Sequence, residues 1–245
     1  MLTRDEERAL PAALASLPAG TGILVLDARS SDRTREIARG AGATVVERDW
    51  TDFVEARRFA LSLVRTPWTF MLDADERFDE RMRAALQELE PPARVDGYCV
   101  RRVTLFCGAQ LRALGWDEER LLRLFRTARA TVRAHPAAGG TAAVHERWSV
   151  AGEVEDLEGT LVHDSYPDRA SYRRKFARYT SLEAQGLRTN PLRLALVALE
   201  APARLVWMLL ARGGLRAGWR GTYLSFWSAL YPLVAHAKAF GRPWR

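Results

Sequence analysis

The chain has 245 residues, of which 48% are hydrophobic and 27% are charged, a balance that excludes a mainly disordered protein. Its two cysteines, Cys99 and Cys107, are too few for a disulfide scaffold or a cysteine-based zinc site. The net charge of +7 is uneven, because residues 171–245 contain 13 Lys and Arg against two Glu. The sequence therefore predicts a mildly acidic body followed by a basic tail.

The first part of the chain alternates helical and strand patterns. Apolar spacing predicts helices over 5–17, 33–39, 52–64 and 79–89, and strands over 23–26, 44–46 and 68–72. After Pro91 it predicts strands over 96–106, 119–126 and 159–163, a loop over 135–140 and a helix over 168–187. Alternation of helices and apolar strands is typical of a parallel α/β sheet.

Two aspartates follow the third predicted strand, in the segment from Leu72 to Glu76. If the strand geometry continues, Asp73 and Asp75 point to the same face of the sheet. Neighbouring carboxylates repel unless they are neutralised, and Mg²⁺ typically takes one or two carboxylates together with substrate phosphates. The pattern indicates metal-assisted binding of a diphosphate. The alternative is a turn in which the aspartates cap the next helix.

A third aspartate, Asp27, follows the first predicted strand. Ligands of open parallel sheets bind beyond the carboxyl ends of the strands, where Asp27 could accept hydrogen bonds from a base or ribose. Asp32 is expected to cap the helix that follows. The alternative is that both aspartates are only turn and cap residues.

Taken in order, these and later motifs resemble family 2 glycosyltransferases of the GT-A fold, in particular the branch of lipopolysaccharide-core β-glucosyltransferases. The matching segments are Thr3-Arg4-Asp5-Glu6-Glu7, Leu26 to Asp32, Leu72 to Glu76, Arg123 to Arg126, Val144-His145-Glu146 and His163 to Tyr166. The resemblance implies an α/β domain over 1–190, with a Rossmann-like, mostly parallel sheet flanked by helices. Its nucleotide-sugar half would cover 1–90 and its acceptor half 91–190.

The resemblance also implies roles for individual residues. The implied catalytic residues are Glu146 and Asp75, the donor-binding residues are Asp27, Arg29, Asp73 and Asp5, and the metal ligands are Asp73, Asp75, His145 and His163. Asp27 would contact uridine, and the metal would be Mg²⁺ or Mn²⁺. Glu146 would be the general base, with Glu76 and Asp117 in reserve. The alternative for each histidine is a hydrogen-bonded structural role, and His135 and His236 receive no function.

The sequence departs from the family pattern at two places. The opening strand of the family is apparently missing, because Met1 lies almost where that strand should end. Since that strand would be central in the sheet, we expect the natural start upstream or a truncated product. Arg29 replaces a glycine that would permit a positive φ angle, and its guanidinium is expected to reach the donor diphosphate.

The tail over 191–245 mixes arginines with aromatic side chains. The aromatic residues are Trp207, Trp219, Tyr223, Phe226, Trp227 and Tyr231. Amphipathic rings beside basic groups favour an amphipathic helical extension at a membrane interface. Single-stranded nucleic acid and an ordinary packed extension are the alternatives. The longest charge-free run, 221–237, is shorter than a spanning helix requires.

These observations predict a metal-dependent, inverting glycosyltransferase. It would move a hexose, glucose by preference, from a UDP-sugar to a lipid-linked or lipopolysaccharide-core acceptor. We expect a cytoplasmic protein bound peripherally to the inner face of the cell membrane, without a nucleic-acid partner. The alternatives are a catalytically inactive, membrane-associated protein that binds nucleotide sugars and a sugar nucleotidyltransferase.

Overall fold

The computed structural model describes residues 1–50, 52–115, 119–134 and 146–241. Its helices are α1 (Leu10–Ala15), α2 (Thr34–Gly40), α3 (Phe53–Leu63), α4 (Glu80–Glu88), α5 (Arg169–Gly186), α6 (Pro191–Leu210) and α7 (Gly218–Phe240). Its strands are β1 (Leu2–Thr3), β2 (Leu24–Asp27), β3 (Thr44–Glu47), β4 (Trp68–Phe70), β5 (Glu76–Phe78), β6 (Val95–Phe106), β7 (Ala109–Gln110), β8 (Glu119–Arg126), β9 (Thr131–Ala134), β10 (Glu146–Ser149) and β11 (Glu153–Tyr166). The predicted loop over 135–140 lies outside the described residues.

In the described part of the chain, the strands form a small parallel sheet, a larger sheet and the antiparallel pair β9–β10. In the order β1-β2-β3, neighbouring strands are parallel. The larger sheet runs β4-β8-β6-β11-β5, and the pairings of β8 with β4 and β6 and of β5 with β11 are antiparallel. The α/β class is confirmed, and the parallel pairings are those of β1, β2 and β3. Helical crossovers join β1, β2 and β3, whereas no helix occurs among the described residues between β6 and β8, which pair antiparallel.

The strand β1 at the start of the chain has only two residues. Leu2 and Thr3 lie opposite Leu26 and Asp27 in parallel register. The amino group of Met1 extends this pairing by donating to the carbonyl of Leu24 at 2.8 Å. The strand lies at the edge of the small sheet and not at the centre of a single sheet.

Aspartates cap three of the helices. The capping residues are Asp52 before α3, Asp79 before α4 and Asp168 before α5, and each accepts a backbone N–H from the first turn. Asp32 precedes the cap position of α2, but its carboxylate still accepts the N–H of Thr34 at 3.0 Å. The helix predicted over 5–17 is shorter, because residues 7–9 form a turn and α1 covers only Leu10–Ala15.

The chain divides into two compact units. The first contains the described residues of 1–103, 119–134 and 146–165, and the second contains those of 104–115 and 166–241. The largest apolar cluster of the first unit is formed by Leu72, Phe78, Met82, Val95, Tyr98, Val100, Leu124, Leu157 and Leu161. The predicted boundary at residue 190 falls inside the second unit, between α5 and α6.

The second unit is built around an aromatic cluster. Phe106, Tyr172, Phe176 and Leu224 are buried at its centre. Three of the aromatic residues predicted for a membrane interface, Tyr223, Trp227 and Tyr231, pack against this cluster. The other three, Trp207, Trp219 and Phe226, are about half exposed. The tail residues Pro202 and Pro232 both lie inside helices.

None of the helices in the described part of the chain is long and apolar enough to cross a membrane.

Candidate active site

The Asp27 carboxylate lies at the end of β2 and is completely buried. The hydroxyl groups of Thr3 and Ser30 donate to its Oδ2 at 2.7 and 2.6 Å, and the backbone N–H of Ser30 donates to its Oδ1 at 2.8 Å. Arg35 Nε lies 3.9 Å from Oδ1. These contacts join β1, β2 and the turn after β2. A base or ribose could reach the Asp27 carboxylate only if some of them opened.

Asp5 and Arg29 occupy the turns that follow β1 and β2. Both have positive φ angles, 55° at Asp5 and 53° at Arg29. Asp5 Oδ1 accepts the backbone N–H of Ser31 at 2.7 Å, which holds the two turns together. The Arg29 guanidinium is exposed and forms an ion pair with Asp49 at 2.9 Å. The left-handed conformation expected where the family has glycine is therefore present at Arg29.

The segment after β4 does not continue as a strand, which corrects the expected alternation of Asp73 and Asp75. β4 ends at Phe70, residues 74 and 75 form a turn, and β5 begins at Glu76. The N–H of Glu76 donates to the carbonyl of Asp73 at 3.1 Å, which closes this turn. The turn gives Asp73 and Asp75 different partners.

Asp73 lies between two buried arginines. Its Oδ1 accepts from Arg57 at 2.9 Å and its Oδ2 accepts from Arg123 at 3.3 Å. Burial by itself would raise the pKa of the Asp73 carboxyl, but the two guanidinium groups hold this pKa well below its ordinary value. Each carboxylate oxygen of Asp73 thus already accepts one guanidinium N–H.

Glu76 extends the same network into the core. One of its carboxylate oxygens accepts from Arg123 at 2.7 Å and from Arg102 at 3.1 Å, and the other accepts the N–H of Asp73 at 3.1 Å. Burial raises the pKa of Glu76, although Arg123 opposes this shift. Because both of its oxygens already have partners, the geometry does not favour Glu76 as the reserve general base.

Asp75 meets His163 across the strand pair β5–β11. Asp75 Oδ2 lies 3.2 Å from His163 Nε2, and the backbone of Asp164 donates to the Asp75 carbonyl at 3.0 Å. A carboxylate oxygen and an imidazole nitrogen are both ligands for divalent transition metals. The predicted ligands Asp75 and His163 are therefore adjacent, and together with substrate phosphates they fit the requirements of a Mg²⁺ or Mn²⁺ ion.

Some predicted residues lie outside the described part of the chain. These are His145, Asp117 and His135, together with the side chain of Glu146. Within the described ranges, no three His, Cys, Asp or Glu side chains form a metal-binding group. Asp75 and His163 are thus adjacent, but they do not form a three-residue metal-binding group with other residues of the described ranges.

Sequence reasoning assigned no role to the three arginines of this network. Arg57 lies on the buried face of α3, three residues after Val54, where a charged residue interrupts the apolar stripe. Arg123 and Arg102 lie on β8 and β6. The signal that could have identified Arg57 is its position on an apolar face, because a buried charge requires a charged partner.

The family assignment rests on the sequence match across this site. The family model described as "Glycosyl transferase family 2" matches residues 1–148, which is more than half of the chain. The chain belongs to glycosyl transferase family 2. The matched range includes Asp27 and the Asp73–Glu76 segment, whereas His163 lies beyond it. The predicted family and its α/β GT-A class are thereby confirmed.

Curated relatives match only parts of the chain. A TPR repeat-containing protein of Synechococcus elongatus is 44% identical over 78 residues, 31% of this chain and 19% of the relative. LpsC, a lipopolysaccharide core biosynthesis glycosyltransferase of Rhizobium meliloti, is 30% identical over 128 residues, 50% of this chain and 47% of the relative. The chain thus spans less than half the length of these two relatives.

Among solved structures, a mannosyltransferase of Pyrobaculum calidifontis in complex with GDP-Man and Mn²⁺ matches most of the chain. It covers 98% of this chain and 85% of that protein, at 15% identity and a TM-score of 0.48. A likeness at this level carries no information about substrate.

Proposed function

We propose that this family 2 protein is a metal-dependent, inverting glycosyltransferase. It transfers a hexose, glucose by preference, from a UDP-sugar to a lipid-linked or lipopolysaccharide-core saccharide. Family membership and the 30% identity to LpsC support this proposal. The observation that carries it is the cluster of acidic groups after β4, where Asp75 meets His163 at 3.2 Å.

In this proposal the Mg²⁺ or Mn²⁺ ion belongs beside Asp75 and His163, with His145 as a further ligand. The ion supplies positive charge that stabilises the departing diphosphate. Asp73 keeps Arg57 and Arg123 in place behind this position. Asp5, Asp27 and Arg29, the proposed donor-binding residues, lie near one another at the ends of β1 and β2.

The proposed reaction is a single displacement. The acceptor hydroxyl oxygen forms a bond to the anomeric carbon while the bond from that carbon to the diphosphate breaks. Glu146 takes the hydroxyl proton as general base, and UDP leaves with the bonding electron pair. Because attack and departure occur on opposite sides of the anomeric carbon, the sugar configuration inverts.

We also propose that the protein acts at the cytoplasmic face of the cell membrane, to which it binds peripherally. Trp207, Trp219 and Phe226 are about half exposed, and the tail has a strong excess of arginine. Exposed aromatic and apolar side chains beside basic groups are typical of proteins that bind anionic bilayer surfaces. A lipid-linked acceptor would be available at that surface.

Calorimetric titration with UDP-glucose tests the donor site directly. We expect binding in Mn²⁺ that weakens at least about tenfold with chelator, and a similar loss in Asp75→Asn and His163→Gln. In Asp75→Asn the chelator should cause little further loss of affinity for UDP-glucose. Asp156→Asn is the matched control. Asp156 lies on β11, the strand that carries His163, but it pairs with Arg120 at the exposed surface. Equal binding by Asp75→Asn and Asp156→Asn would contradict the proposed metal position.

Product analysis separates the alternatives. A glycosyltransferase releases UDP when an acceptor is present. Metal-dependent binding without UDP release from any donor and acceptor pair would favour the inactive binding protein. Formation of a sugar nucleotide from a nucleoside triphosphate would favour the nucleotidyltransferase.

A further inference from the structure

A cleft of about 610 Å³ lies within the second unit. One wall is the segment 109–115, and the other is formed by residues from 211 to 220, between the end of α6 and the first turn of α7. The N–H of Leu114 donates to the carbonyl of Arg212 at 2.9 Å and joins the two walls. Close packing of Gly214 against Gly221 fixes the α6–α7 turn, since a Cβ at Gly221 would lie 2.1 Å from the Gly214 oxygen.

The lining of the cleft is strongly basic. Four arginines line it, namely Arg112, Arg212, Arg216 and Arg220, and no acidic residue of the described chain does so. Arg220 is half-buried and donates to the carbonyls of Phe106 and Cys107 at 3.2 and 2.9 Å, while the other three guanidinium groups are exposed. These carbonyl groups are neutral, so they do not compensate the positive charge of Arg220. Four like charges around one concavity favour the binding of an anion.

The first turn of α7 adds to this positive potential. Ala217 precedes the helix and lines the cleft, and it has no side-chain oxygen that could cap the first N–H groups. The positive end of the helix dipole therefore faces the same space as the arginines. Guanidinium groups pair well with phosphate because their N–H donors match two phosphate oxygens at once.

The surroundings of the cleft favour a lipid as the source of this phosphate. Leu210, Leu215 and Trp219, which stand beside the cleft residues in sequence, are 64%, 54% and 51% exposed. Apolar and Trp side chains next to basic groups suit the boundary between headgroups and acyl chains. We propose that this cleft binds the phosphate headgroup of an anionic membrane lipid. This inference rests on the proposed membrane partner but not on the proposed donor site.

Vesicle flotation with a charge-matched control tests the proposal. The test variant is Arg212→Gln/Arg216→Gln, and the control is Arg188→Gln/Arg193→Gln, which removes two exposed arginines of the same unit outside the cleft. With vesicles of phosphatidylcholine and phosphatidylglycerol, we expect the test variant to bind at least about tenfold more weakly than the control. Arg216→Gln alone, a change at one exposed side chain, should give part of this loss.

If both double variants bind the anionic vesicles equally weakly, only net charge matters for vesicle binding, and the proposal is overturned. Binding of inorganic phosphate by the cleft without any binding to anionic vesicles would overturn the lipid assignment. Loss of single-stranded DNA binding with vesicle binding intact would indicate a nucleic-acid site instead. UDP-glucose binding should be unchanged in the test variant. Its loss there, with vesicle binding intact, would assign the cleft to the donor and overturn the lipid assignment.

Discussion

Arg29 shows how one residue can take over a position that favours glycine. Its φ of 53° lies in the left-handed region, which costs a residue with a Cβ on the order of 1 kcal/mol. The ion pair with Asp49 is exposed at both ends and contributes little to offset this cost. A glycine at the same position would adopt the conformation without strain.

We therefore predict that Arg29→Gly raises the free energy of unfolding by about 1 kcal/mol, measured by urea denaturation. Arg29→Ala is the control, because alanine removes the same ion pair but keeps the Cβ and its strain. If the two variants have equal free energies of unfolding, relief of the left-handed backbone conformation is not the cause of any stabilisation in Arg29→Gly. Donor titration of Arg29→Ala tests separately whether the guanidinium contacts the diphosphate.

The buried charges around Asp73 also belong to the residue scale. Arg57 and Arg123 each lie in the core, and each contributes a guanidinium to the same carboxylate. Buried ion pairs have a high desolvation cost, so removing one partner is usually more damaging than replacing the whole set. This network holds the Asp73 carboxylate in place.

At the scale of elements, β11 packs against α4 without space for a side chain at Gly159. This glycine has a φ of +98°, and a Cβ there would lie 2.3 Å from the backbone nitrogen of Met82. Met82 is completely buried in the main apolar cluster of the first unit. The approach of strand to helix thus depends on the missing side chain.

We predict that Gly159→Ala lowers the free energy of unfolding by more than about 3 kcal/mol, because strand and helix must move apart. Gly42→Ala is the matched control. Gly42 has a similar positive φ of +79°, but a Cβ added there would meet no atom within 4 Å, so only the backbone cost of about 1 kcal/mol applies. Urea denaturation measures both free energies of unfolding. Similar losses of this free energy in Gly159→Ala and Gly42→Ala would show that packing at Gly159 is unimportant.

At the scale of the whole molecule, the charges of the carboxylate network affect the stability of the fold as pH changes. The pKa of Asp73 is held below its ordinary value of 3.8, so the folded chain releases this proton more readily than the unfolded chain. Its contribution is therefore present above about pH 4 and is lost as the pH falls. Glu76 has a raised pKa and behaves in the opposite sense, because its contribution is lost as the pH rises.

We predict that acidification from about pH 6 to pH 2 destabilises the wild-type chain by about 2 kcal/mol more than it destabilises Asp73→Asn. Denaturation curves at a series of pH values would measure this difference. Glu76→Gln is the control, because removal of the Glu76 carboxyl should not reduce the loss of stability between about pH 6 and pH 2. If Asp73→Asn loses as much stability on acidification as the wild-type chain, other carboxylates cause the loss.

Much of the fold could be predicted from local sequence. The apolar runs that became β2, β3, β6 and β8 and the aspartates that cap α3, α4 and α5 act through neighbouring residues, so periodicity and capping rules identify them. The three-residue strand β5 was missed because it begins with a charged residue and exists through its pairing with β11. Its apolar pattern is too short to distinguish it from a turn.

The sequence by itself determined the family, the α/β class and the positions of Asp27, Asp73, Asp75 and His163. Only the tertiary structure decided what those side chains contact. It buried Asp27 among hydroxyl groups, placed Asp73 between two arginines and brought His163 to Asp75, 88 positions earlier in the chain. Such pairings join distant segments, and their energies depend on burial and distance. Local patterns cannot encode either quantity, because both arise only when the core assembles.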